Sequence, residues 1–167
     1  MDIIRDISMG GLLMQTDFPY PVPEELDDPR FRQIFDYWKG LFRQEQLPPS
    51  SRIDPLEFSN LLGSINLIGV VRDDNSMRFC YRLWGTKFTD LFGSDGTGKF
   101  VEEIFDPPWA AEIQHVFENV VISKKPHFWK IPVPIEDRKF LTNRRLPLPF
   151  SNDGTVVDTL LALMVED

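Results

Sequence analysis

The chain has 167 residues, enough for one domain whose core needs neither disulfides nor metal. Hydrophobic residues make up 42% and charged residues 26%, and 26 Asp+Glu against 18 Lys+Arg leave a net charge of −8. Phosphate backbones repel such a chain, which argues against general nucleic-acid binding.

Residues 1–27 read as an N-terminal arm that ends in a proline-rich linker, Pro19-Tyr20-Pro21-Val22-Pro23, and an acidic run. Asp2, Arg5 and Asp6 interrupt its apolar residues, so it does not read as a secretory signal. No stretch approaches the ~20 apolar residues of a membrane span. A cytoplasmic protein without a membrane partner is the expectation. Residues 28–167 read as a single domain. Asp28 is a good N-cap and Pro29 a good first residue for a helix from Pro29 to Gln46. Phe31, Ile34, Phe35, Trp38, Leu41 and Phe42 form its apolar stripe, and Pro48-Pro49 closes it. Asp54-Pro55-Leu56-Glu57 opens a second, short helix to about Leu62, with Glu57 completing a capping box.

The period then changes. Residues 65–71 read as a strand with apolar residues on both faces, Asp73-Asp74-Asn75-Ser76 as a turn, and 77–84 as a second strand. Met77, Phe79, Tyr81 and Leu83 share a face of that strand. Thr86 caps a short helix carrying Phe88, Leu91 and Phe92, and a glycine-rich turn follows over 93–98. Asp106-Pro107-Pro108 opens a long helix whose apolar face is Trp109, Ile113, Val116, Phe117, Val120 and Val121. Three strands close the chain: 126–135, 139–150 and 155–165. The fold class is therefore α+β, with a five-stranded antiparallel sheet. Strands 65–71 and 156–165, apolar on both faces, belong at its centre. The middle helices cover one face, and the stripe from Phe31 to Phe42 covers the other.

This order resembles a PAS domain, whose sheet runs 2-1-5-4-3 with helices between its second and third strands. Four stretches resemble one branch more closely, the small bacterial PAS_5-like family found largely as single-domain proteins. They are Leu47-Pro48-Pro49-Ser50-Ser51-Arg52-Ile53-Asp54-Pro55, Tyr81-Arg82-Leu83-Trp84-Gly85-Thr86, Gly93-Ser94-Asp95-Gly96-Thr97-Gly98-Lys99, and the run from Leu148 to Asp158. The resemblance covers roughly residues 30–163 and implies a sensory, signalling or protein-interaction module. It implies no particular ligand.

Gly93 to Lys99 nearly spells a phosphate-binding loop, but Phe100 stands where a magnesium-holding Ser or Thr belongs, so a glycine turn is expected. His115 falls opposite the apolar stripe of its helix and reads as a surface residue rather than a haem ligand. His127 reads as a core or edge histidine that shares a strand face with Trp129. Cys80, the single cysteine, sits in a strand and lacks the helical Asn-Cys-Arg-Phe-type setting of photoreactive PAS cysteines. It is expected beneath the N-terminal helix. Arg78 and Arg82 share its face and are expected to pair with acidic residues of the N-terminal region, the other reading being an anion site. Lys124, Lys125, Lys130, Arg138, Lys139, Arg144 and Arg145 read as a solvated sheet edge, with a docking surface for an acidic or phosphorylated partner as the alternative.

No catalytic constellation and no metal site emerge, so the expectation is a non-enzymatic sensor without haem or flavin. A small enzyme or ligand carrier of cone-like α+β fold and a ligand-free protein adaptor are the alternatives. Any small ligand would lie in a cavity walled by Tyr81, Phe88, Phe92, Trp109, Phe117, His127 and Trp129. The apolar stripe is wider than one sheet face needs. That predicts a homodimer through Phe31, Phe35, Trp38 and Phe42, besides any signalling-protein partner.

Overall fold

A computed structural model describes residues 26–133, 137 and 141–166. Its elements in chain order are α1 (Pro29–Gly40), 3-10 segments at Ser50–Arg52 and Pro55–Ser64, β1 (Ile65–Arg72), β2 (Met77–Leu83), α2 (Thr86–Phe92), α3 (Val101–Ile104), α4 (Pro107–Ser123), β3 (Trp129–Pro132), β4 (Thr142–Phe150) and β5 (Thr159–Glu166). The strands form one sheet in the order β2-β1-β5-β4-β3, antiparallel throughout. The strands with apolar residues on both faces, β1 and β5, lie inside it.

Cross-strand partners share a face, and the register therefore sorts the side chains. Tyr81 stands opposite Ile68, Ile68 opposite Leu160, Met164 opposite Arg145, and Arg145 opposite Trp129. This is the inner face. Edge-to-face contacts of Phe117 with Phe79 (5.3 Å) and with Trp129 (6.3 Å) lay α4 across it. The outer face carries Cys80 opposite Gly69, with Leu148 and Leu161 farther along the sheet. There α1 sits over β4: the Trp38 indole donates to the Pro149 carbonyl at 2.8 Å, and Phe31 lies under the Arg144 guanidinium at 5.3 Å. Strand β4 tolerates Pro147 and Pro149 because β3 pairs only with Thr142–Arg145. Its second half is an edge, where a missing N–H breaks no ladder.

Capping residues start the helices as their chemistry requires. Asp28 accepts from the Arg30 N–H at 2.9 Å, and Asp54 accepts from the Leu56 N–H at 3.0 Å. The chain is glycine at 85 because a Cβ there would stand 2.5 Å from the Gly63 carbonyl oxygen and 2.8 Å from that of Ile65.

Several expectations are corrected. Helix α1 stops at Gly40 rather than Gln46, because glycine weakens the helix and Gln44 and Glu45 then turn through positive φ. The turn brings Phe42 back edge-on to Trp38 at 4.7 Å. The second helix is a 3-10 segment broken at Phe58, whose side chain is buried against Tyr37. Gly85, not Thr86, is the N-cap of α2. Strand β5 begins at Thr159 because the Asp158 carboxylate holds Ser50 Oγ and the Asn152 N–H, which fixes residues 151–158 as a loop. Leu26, assigned to the arm, is 1% exposed and belongs to the core. The expected ends of strands 126–135 and 139–150 fall partly outside the described residues.

Candidate functional site

A cleft of about 280 Å³ opens where β2 ends and α2, the glycine turn, α3 and the start of α4 meet. Its apolar walls are Trp84, Phe92, Phe105 and Trp109; Ser94, Lys99, Glu103 and Asp106 bring polar groups to it. The backbone explains the assembly. Gly93 and Gly98 take positive φ (82° and 84°), which folds the 93–99 turn back onto the outer edge of β2. There the Gly98 N–H donates to the Tyr81 carbonyl at 2.7 Å, and the Tyr81 N–H donates to the Lys99 carbonyl at 2.9 Å. Asp95 ties the turn internally by accepting from the Thr97 N–H and hydroxyl. The near phosphate-loop motif is thus a turn that positions Lys99 at the cleft. Gly96 lies against the Trp84 ring so closely that a Cβ would stand 2.7 Å from it.

Trp84 joins the cleft to the core. It is 5% exposed, and its indole N–H is buried with no hydrogen-bond partner. Its ring meets those of Tyr81 (4.9 Å), Phe88 (5.3 Å) and Phe92 (5.6 Å). Tyr81 carries the array to the inner sheet face, where it meets Arg145. Arg145 is 4% exposed, donates through Nε to Asn143 Oδ1 at 2.9 Å, and stands 5.9 Å over the Trp129 ring. Burial pushes the Tyr81 phenol up to about 12, with Arg145's charge and hydrogen bond pulling the other way. Burial likewise pushes the Arg145 guanidinium down, opposed by Tyr81.

The residues expected to wall one cavity divide. Phe92 and Trp109 line the cleft. Tyr81, Phe88, Phe117, His127 and Trp129 are buried in the core instead, because the inner face is filled by ring-on-ring packing. His127 precedes β3 rather than lying in it, and approaches Ser123 Oγ through Nε2 at 3.3 Å. Burial, with Lys125 adding to it, pushes its pKa down to about 4, so the ring is neutral at pH 7. His115, expected on the surface, is half-buried, and its carbonyl accepts from Asn119. Arg78 pairs with Glu102 of α3, not with the N-terminal region, and stacks 3.7 Å over Phe100. Cys80 is buried on the outer face and bridges backbone to Phe100, which takes it to the α3 side rather than beneath α1.

Residues 26–165 match the family model for the PAS domain. The chain belongs to the PAS domain family. A sensory box sensor histidine kinase from Vibrio cholerae is a structural neighbour, with 18% identity, a TM-score of 0.43, and coverage of 66% of this chain and 87% of that one. No curated protein matches.

Two expectations for this PAS domain lose their ground. Phe31, Ile34 and Trp38 are fully buried within their own chain and Phe35 is 7% exposed, while Phe42 is half-buried. The stripe leaves no surplus to argue a dimer from. The basic edge also breaks up: Lys124, Lys125 and Lys130 are exposed, Arg144 pairs with Asp28 at 3.1 Å, and Arg145 is in the core. Arg138 and Lys139 lie outside the described residues. Sequence reasoning missed Trp84, Lys99 and Phe105 as one site, and Arg145 as buried. The parity of Arg145 with Pro147 and Pro149 against Leu146, Leu148 and Phe150 was a signal that it leaves the Arg144 face.

Proposed function

We propose that this sensory, signalling-type PAS domain reads a small ligand in the aromatic cleft and passes its occupancy to a protein partner in the cytoplasm, without catalysing a reaction. The observation that carries the reading is the Trp84 indole N–H, buried without a partner in a residue that lines the cleft. A buried donor left unpaired costs about 1–3 kcal/mol, and an acceptor atom on a ligand recovers that. The four aromatic rings favour a flat apolar body, and Lys99 favours a negative or acceptor-rich edge. A ligand that engages Trp84 bears on a ring that packs 4.9 Å from Tyr81 of β2, and through that contact it can bias the sheet.

Native mass spectrometry and tryptophan fluorescence of the full chain test this, with benzoate and phenol as probes. Expected are either a co-purifying small molecule or a saturable fluorescence change, weakened about tenfold in Gly96→Val, whose side chain invades the space beside Trp84. A chain that carries nothing, and whose fluorescence neither probe changes, returns the function to a ligand-free adaptor.

A further inference from the structure

We propose that a second cleft, between the segment that follows α1 and the loop that joins β4 to β5, is a receptor for a phosphate monoester. It holds about 300 Å³ and shares no residue with the aromatic cleft, and no residue of α2, α3 or α4 lines it. Arg43, Gln46 and Arg52 line it from one side and residues 151–154 from the other. These two stretches are far apart in the chain and locked together. The Ser51 N–H donates to Asn152 Oδ1 at 3.0 Å, Ser50 Oγ donates to Asp158 Oδ1 at 2.7 Å, and the Ser151 N–H donates to the Pro48 carbonyl at 2.9 Å. The frame is set before a ligand arrives, so binding carries little ordering cost.

The donors choose the ligand. Among the described residues the guanidiniums of Arg43 and Arg52 make no ion pair and no hydrogen bond, although both line one cleft. Asn152 spends its Oδ1 on Ser51, which leaves its amide nitrogen as a donor, and the Gln46 amide adds another. The Asp153 carboxylate is committed within its own loop, where it accepts from Ser151 Oγ and from the Thr155 and Val156 N–H groups, each at 2.8 Å. Two cationic forks and two amides suit one anion with several acceptor oxygens. A carboxylate fills a single fork, whereas the three free oxygens of a phosphate monoester meet two. On the other side of Arg52 a groove carries Asp36, Asp54 and Glu57, whose charges repel an anion and leave the Arg43 side for it. The backbone spends energy on the same arrangement. Gln44 and Glu45, neither of them glycine, take left-handed φ (53° and 63°), and the Gln46 N–H closes the turn on the Arg43 carbonyl at 3.1 Å. The turn packs on the opposite loop where Gly154 leaves room: a Cβ there would stand 3.0 Å from Gln46 Oε1.

The test follows backbone amide resonances of the full chain during titration with inorganic phosphate, O-phosphoserine and a phosphoserine hexapeptide, with sodium acetate at equal ionic strength as the control. A chain of net charge −8 attracts no phosphate in general, so a local response stands out. Expected are saturable shifts at residues 43–46 and 151–154 with the phosphate probes, at least tenfold weaker with acetate. Arg43→Gln and Arg52→Gln should each weaken binding at least tenfold, and both side chains are exposed, so neither change threatens the fold. Arg72→Gln, at an exposed arginine outside this cleft, should leave it unchanged. Tighter binding of the hexapeptide than of O-phosphoserine identifies a phosphorylated protein segment as the source, and equal or weaker binding a small phosphorylated molecule. Amides at these residues that no phosphate probe moves overturn the proposal, as do equal responses to acetate, or a loss in Arg72→Gln as large as that in Arg43→Gln. Phosphate shifts confined to residues 94–99 overturn this receptor and leave the aromatic-cleft reading intact.

Discussion

Arg144 and Arg145 are neighbours in the chain and opposites in the fold. Arg144 points to the outer face, where Asp28, itself held by Arg30 at 2.7 Å, meets it at 3.1 Å and Phe31 lies beneath it. Arg145 points to the inner face and is buried, donating through Nε to Asn143 Oδ1. The strand's two-residue period alone separates them. The outer face is closed by residues that satisfy one another: a cap, an ion pair and the Trp38–Pro149 hydrogen bond. On the inner side, Trp84 Nε1, His127 Nδ1, Asn143 Nδ2 and Arg145 Nη2 are among the buried atoms that make no hydrogen bond. Both faces are packed with buried apolar side chains, and they differ in how their polar groups are partnered.

The largest effects test how each face is packed. Trp38→Ala on the outer face and Phe117→Ala on the inner face should each cost about 3–5 kcal/mol in urea unfolding, since both side chains are buried. Trp109→Ala should cost much less, because Trp109 is half-buried at the cleft. A Trp109 loss equal to that of Phe117 would mean the cleft is core.

Next in size is a pH effect confined to the inner face. His127 falls from 6.5 to about 4 in the folded state. It therefore stabilises fully above pH 6.5, and the contribution is lost as pH falls toward 4, by about 3 kcal/mol in all. Unfolding curves across that window should show the slope, and His127→Phe should flatten it. An unchanged slope in the variant would place the titration elsewhere.

On the outer face, Asp28→Ala should cost about 1–2 kcal/mol at pH 7, through the lost cap and the Arg144 partner. The Arg30 guanidinium holds the Asp28 carboxyl well below the usual carboxylate range. Its contribution is therefore present above the unfolded value near 3.8 and disappears in stronger acid. Wild type and Asp28→Ala should converge there, as circular dichroism melts would show.

The smallest expected change is the most informative about the contrast. Replacing a buried charge by an apolar residue of similar size is often neutral or stabilising. Arg145→Met should fold with stability within about 1 kcal/mol of wild type or above it, whereas Arg144→Met should be slightly less stable. A large loss at Arg145 alone would show it to be a structural keystone.

The strand and helix order, the caps at Asp28 and Asp54, the hairpin at Asp73–Ser76 and the central places of β1 and β5 were all legible in the residues. Each rests on local chemistry or on a period of two or 3.6. The sheet order came with the family resemblance, and the register then fixed which residues share a face. The site was only half legible: Phe92 and Trp109 were chosen for their aromatic character, but Trp84 and Lys99 are joined to them by a turn that hydrogen-bonds to the edge of β2. Such joining is non-local, and no local pattern encodes it. For the same reason the basic run from Lys124 to Arg145 could be read only as a surface, since charge predicts exposure on average. Composition and pattern determined what elements this chain makes. Only the tertiary structure decided which donors it buries unpaired, because satisfaction depends on partners that distant segments bring.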